Sequence, residues 1–161
     1  MVFFSSKIYC QDNIDDKQYL SEYGIDKDSI KTLNFKNKDL LMKFIHEFED
    51  KKEKGFSLPK FLIYDETGNL IKHKLDIYIK ECGKGDVNEL KKRYHKKQPS
   101  IDRLNSFFIE DLSKPKNGNF VVIFIWMNGL ELQNKHTFET YKTWKSESNL
   151  KTYFIKLDAQ D

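Results

Sequence analysis

Arginine is nearly missing from this chain. Of its 28 basic residues only Arg93 and Arg103 carry a guanidinium. That planar fork is the group best suited to phosphates and guanine edges. With 28 basic residues set against 25 acidic ones and a net charge of +3, no field of one sign covers the molecule. The expectation is no nucleic-acid partner. Alanine occurs once, at Ala159, and the Lys- and Asn-rich remainder reads as compositional bias rather than as a binding function.

Cysteine is as scarce. Cys10 and Cys82 are the only two, and the four histidines, 46, 73, 95 and 136, include no pair at close metal-ligand spacing. Zinc signatures need clustered Cys or His, so no metal is expected. The segment "CGKGDVNE", Cys82 to Glu89, has two Gly before a helical pattern. It lacks both the Lys-Ser/Thr pair of a P-loop and the third Gly of a dinucleotide fingerprint, and no G-x-S-x-G elbow occurs. No cofactor is expected. The longest apolar run, Phe120 to Met127, falls far short of the ~20 residues that a membrane span requires.

What is present suits one domain. At 161 residues, with 39% apolar residues and 13 Phe, 8 Tyr and 2 Trp, aromatic side chains supply much of the core volume. The N-terminal "MVFFSSKIYCQDN" is apolar at Val2, Phe3, Phe4, Ile8 and Tyr9 and turns abruptly polar at Gln11. It lacks a basic n-region and a full apolar run. It resembles the last third of the signal peptides of Bacteroidetes envelope proteins, against the plainer reading of a short first strand or frayed end. The expected organisation is a signal-peptide remnant over residues 1–10 and a single α/β domain over 11–161. Periplasmic or secreted localisation follows if the leader is a truncated signal, and cytoplasmic localisation otherwise.

Periodicity gives the elements. "SIKTLNF", Ser29 to Phe35, reads as a strand, and Asn37 and Asp39 offer caps for a helix with Leu40, Leu41, Phe44, Ile45 and Phe48 on one face. Phe61 to Tyr64, a turn at Asp65 to Asn69 with Gly68 at positive φ, and Leu70 to Leu75 read as a hairpin. A helix is expected from Asp86 through "VNELKKRYHKK", and another after Pro99 with Ile101, Leu104, Phe108 and Leu112 on one face. Phe120 to Met127 is a continuous apolar strand of the doubly buried kind. A helix from about Leu132 to Ser148 and a last strand, "KTYFIKLDA", complete the order βαββααβαβ, an α/β sandwich.

The last 43 residues, from "NFVVIFIWMNGLEL" on, resemble the first half of a thioredoxin-type domain: an apolar strand ending in Trp, the active-site turn, a long helix and a strand with an acidic end. "GFSLPKFLIYDETGNLIKH" resembles the other half, in which a Pro, usually cis, opens an antiparallel hairpin with a Gly turn. The resemblance implies a thioredoxin-like sandwich, a central mixed sheet flanked by helices, and makes Pro59 the candidate cis-proline. Two departures stand out. Counting from Trp126, the two cysteines of the family fall at Leu130 and Gln133, and the Pro hairpin precedes the Trp strand. Either the sandwich is permuted or the two likenesses belong to different arrangements. Thiol exchange runs through a thiolate, and neither Leu130 nor Gln133 offers one.

The remaining candidates have plainer readings beside them. "KKRYHKK", Lys91 to Lys97, carries five formal positives. At the end of a helix begun by Asp86 and Glu89 it satisfies the macrodipole without any ligand. Cys82 next to a helix N-terminus is a conceivable reactive thiol, more commonly a half-buried apolar residue. His136 follows the vestigial turn, where a histidine is ordinarily a surface helix residue. The sequence-level reading is a redox-inactive, non-enzymatic thioredoxin-like protein that acts through binding an unidentified protein partner. The alternative is an enzyme of unknown reaction with its site near Cys82 or His136.

Overall fold

A computed structural model describes residues 15–48, 61–72, 93–94 and 99–157. Residues 1–10, expected as a signal-peptide remnant, together with Pro59, Cys82, His73, His95 and the start of the helix expected from Asp86, lie outside the described residues.

The fold is mixed α/β, an open four-stranded sheet with helices on both faces. Helix α1 (Asp16–Glu22) is followed by a short 3-10 turn, Lys27–Ser29, strand β1 (Thr32–Leu33) and helix α2 (Lys38–Phe48). Next come β2 (Phe61–Tyr64), β3 (Ile71–Lys72), β4 (Arg93–Tyr94) and a short α3 (Ile101–Leu104). Strand β5 (Phe120–Trp126), helix α4 (Glu131–Trp144) and strand β6 (Leu150–Lys156) complete the described chain. The sheet order is β1-β6-β5-β2, with β1 and β5 both parallel to β6 and β2 antiparallel to β5.

Strand β5 is the centre of this arrangement. All seven of its residues are buried, because side chains alternate across a sheet and both faces are covered. Phe120, Val122, Phe124 and Trp126 join Phe61, Ile63 and Phe154 in a core closed by Tyr19 and Leu20 of α1 and Phe138, Tyr141 and Trp144 of α4. Val121, Ile123 and Ile125 join Leu62, Tyr64 and Ile155 in a second core, closed by Leu41, Phe44 and Phe48 of α2 and by Ile101, Leu104, Phe107 and Phe108. Each such side chain contributes on the order of 1.5–3 kcal/mol by leaving water.

Local signals account for several elements. Asn37 is the cap of α2, its Oδ1 accepting from Leu40 N at 3.0 Å. The β2 turn forms around buried Asp65, whose Oδ1 accepts from Thr67 N at 3.0 Å and from Thr67 Oγ1 at 2.6 Å. Gly68 takes φ +77, and a Cβ there would lie 2.9 Å from Ile101 Cγ2. The return of the hairpin begins with the single bridge Tyr64 to Leu70.

Four expectations change. Arg93 and Tyr94, read as helical, form β4 and pair with Lys72 and Ile71. A non-local partner decides strand formation, which helical spacing does not reveal. Only Ile101–Leu104 of the second expected helix is helical. Beyond it Asn105 binds both Leu112 N and Leu112 O, while Phe108 bridges Phe35, so the chain is drawn out along residues 34–36. Ser29 belongs to the 3-10 turn rather than to a strand. Finally, α1 was not expected, since it shows only Tyr19 and Leu20 to the core.

Glu110 fastens that extended stretch. Its carboxylate accepts from Asn34 N and from Asn34 Nδ2, each at 2.7 Å. Partial burial pushes the carboxyl upward, but the bonds from Asn34 outweigh it and hold the group below the usual range. A lowered folded pKa stabilises above the unfolded value of about 4.3, and that stability is lost as pH falls through the folded value. Glu110→Gln should therefore lower the urea midpoint at pH 7, and the gap from wild type should close as the pH is taken into the acid range. Parallel midpoint curves at every pH would exclude this role for Glu110.

Candidate functional site

Because β5 and β6 are parallel, their carboxyl ends share one edge of the sheet, and antiparallel β2 begins at that edge with Phe61 opposite Phe124. Open α/β sheets present their ligand sites at such carboxyl edges. The turn leaving β5 comprises Met127, Asn128, Gly129 and Leu130. Gly129 has φ +82, a left-handed position suited to a residue without Cβ. Leu130 caps α4 with no side-chain hydrogen bond, so the cap acceptor that Ser or Asp would provide is missing.

Asn134 holds the turn in place. This residue is 1% exposed on the inner face of α4. Its Nδ2 donates to Met127 O at 2.7 Å and to Tyr19 Oη at 2.6 Å, and its Oδ1 accepts from Met127 N at 3.3 Å. The amide thus pairs with both backbone groups of one residue, as a neighbouring strand would. Tyr19 in turn stacks on Trp126, with centroids 5.5 Å apart and planes 10° from parallel. Burial, and after it the neighbouring Tyr23 hydroxyl, push the Tyr19 phenol well above its usual range, so it stays protonated. Lys156 Nζ lies 5.3 Å from the Trp126 ring centroid and 2.6 Å from Asp16 Oδ1.

The sequence-predicted residues fall as follows. Trp126 is buried at the end of β5, Leu130 is half-buried at the start of α4, and Gln133 is exposed in its first turn. The structure brings these three to one edge, and none bears a nucleophile. His136 lies on α4 with Nδ1 3.9 Å from Glu139 Oε2, a pair within its own helix. Its proposed companion Cys82 and the candidate Pro59 are outside the described residues. Among the described residues no group of three His, Cys, Asp or Glu side chains is placed to hold a metal. No helix among them is long and apolar enough to cross a membrane. A shallow groove of about 460 Å³ lies away from this turn, between Glu22, Tyr23 and Gly24 at the end of α1 and Lys135, Phe138 and Lys142 of α4.

Sequence reasoning missed Asn134, Tyr19, Asp16 and Lys156. Asn134 had a signal: it is the polar member of the stripe Asn134, Phe138, Tyr141 at helical spacing. Tyr19 had none, since it meets Asn134 from 115 positions away.

No family model matches the chain, and no curated protein and no solved structure matches it.

The clasp can be tested directly. Asn134→Leu keeps the volume but removes the partner of the Met127 N–H and leaves the Met127 C=O only the longer bond from Leu130 N at 3.4 Å. An unpaired buried group costs roughly 1–3 kcal/mol, so a loss of that order in urea unfolding is expected. An unchanged midpoint would mean that the turn holds without Asn134.

Proposed function

We propose that this chain is a redox-inactive thioredoxin-like sandwich in permuted order, a protein of the cell envelope that acts by binding a protein partner rather than by catalysis. The observation that carries the reading is the sheet neighbourhood of β5. The strand that ends in Trp126 lies between a parallel strand reached through α4 and the antiparallel first strand of the Gly68 hairpin. That is the arrangement expected if the two halves that the sequence resembles meet in one sheet, although the hairpin comes first in the chain.

The chemistry at the turn supports the inactive part of the reading. Leu130 and Gln133 stand one helical turn apart at the start of α4, where a thiol would be acidified by the helix N-terminus. Hydrophobic and amide side chains there offer contact surface and no electron transfer. Leu132, 68% exposed beside this turn, adds apolar surface to the same edge.

Restoring the dithiol tests the reading. In a chain already changed at Cys10→Ser and Cys82→Ser, Leu130→Cys with Gln133→Cys should close an intramolecular disulfide and reduce insulin with dithiothreitol as reductant. The unaltered chain should show no reduction above buffer. Failure of the new pair to close would reject the thioredoxin-like turn, and wild-type turnover abolished by Cys82→Ser would reject the non-redox reading.

A further inference from the structure

Asparagine followed by glycine occurs twice in this chain, at Asn117–Gly118 and at Asn128–Gly129. The dipeptide carries a reaction of its own. The backbone nitrogen of the glycine can attack Cγ of the preceding amide, because glycine has no Cβ to block the approach. The two pairs sit in contrasting settings, one before β5 and one after it.

Asn117 and Gly118 form the tip of the turn that leads into β5. Both are exposed, at φ +54 and φ +74, and Asn117 is the one residue other than Gly at positive φ among the described residues. Successive left-handed residues make a mirror-image turn, the kind that favours Asn-Gly. It is closed by the bond from Asn119 N to Lys116 O at 3.1 Å. Among the described residues the Asn117 amide and the Gly118 N–H have no hydrogen-bond partner, and a Cβ at Gly118 would meet nothing within 4 Å. Asn128 is half-buried instead, and its turn is fastened by the Asn134 amide on both backbone groups of Met127.

Charge favours the first pair as well. Lys116, next to Asn117, lines a depression of about 310 Å³ between the 113–116 stretch and the starts of β5 and β6. Lys114 and Lys151 line it too, and no carboxylate does. Neighbouring ammonium groups stabilise the negative charge that the Gly118 nitrogen acquires before attack.

We infer that Asn117 is a self-modification site, at which the folded chain converts a neutral amide to a carboxylate with water as the only co-reactant. Hydroxide takes the Gly118 amide proton, the nitrogen forms a bond to Asn117 Cγ, and the Cγ–Nδ2 bond breaks. Ammonia leaves with a proton returned from water, and a cyclic imide remains. Water opens the imide at Cγ to give aspartate, or at the backbone carbonyl carbon to give isoaspartate, whose main chain runs through Cβ. No electrons are transferred. Ring closure requires Asn117 to rotate out of its left-handed conformation, an opening confined to one exposed turn, whereas the same rotation at Asn128 must break the Asn134 clasp. The product lowers the net charge of +3 by one and sets an acid beside the lysines at the entry to β5.

The test is peptide mapping by mass spectrometry on the full chain, kept folded at mildly alkaline pH in water enriched in heavy oxygen. Asn117 should take up heavy oxygen, yield both aspartate and isoaspartate, and convert at least about tenfold faster than Asn128, because local opening precedes attack. Asn117→Gln should remove the acidic species that accumulates on ion exchange. In concentrated urea, with both turns lost, the two pairs should convert at comparable rates. Equal rates in the folded chain, or an intact Asn117 beside a converted Asn128, would overturn the inference. A preference that persists undiminished in urea would trace the selectivity to sequence neighbours and overturn its basis in the fold.

Discussion

The burial of β5 on both faces is the constraint from which the rest of this structure follows. Seven consecutive apolar or aromatic residues cannot face water on either side, so one layer of helix must lie over Phe120, Val122, Phe124 and Trp126 and another over Val121, Ile123 and Ile125. The chain meets the first demand with α4 and α1 and the second with α2 and the stretch from Ile101 to Leu112. Parallel pairing to β6 requires a crossover, and α4 is that crossover as well as half of the covering layer. One sequence feature thereby sets the layering, the direction of β6 and the position of the turn that ends in Leu130.

The edge chemistry inherits its geometry from the same source. The rigid strand delivers Trp126 and Met127 to a fixed place, and Asn134, one turn into α4, binds Met127 on both backbone groups. Because that amide is buried and both its N–H groups are used, it also fixes where the Tyr19 hydroxyl must sit, and so where α1 lies. Polar groups in this region act as locators. The apolar layers supply the stability, and the locators decide which of several similar packings is adopted.

Much of this was legible in the sequence, for physical reasons that differ by element. Phe120 to Trp126 is a run whose length and lack of alternation imply a doubly covered strand, and α2 announces itself by its stripe and its Asn37 cap. Gly68 was legible because a turn closed by Asp65 needs a left-handed residue. Arg93 and Tyr94 were misread because their strand exists only through Ile71 and Lys72, and α1 escaped because two buried residues make no period. At the candidate site, Trp126, Leu130 and Gln133 were singled out by counting along the chain, and the structure places them at the end of β5 and the start of α4. The groups that organise them, Tyr19, Asp16 and Lys156, arrive from distant elements and leave no local pattern.

The central claim, that β5 is the doubly buried axis of the fold, is tested most directly by native-state hydrogen exchange across the whole chain. The account predicts that the amides of Val121 to Ile125 exchange only through global unfolding, with a free energy equal to that from urea denaturation and the highest in the protein. Exchange of these amides through a smaller opening, at or below the free energy of the short edge strand Thr32–Leu33, would contradict it.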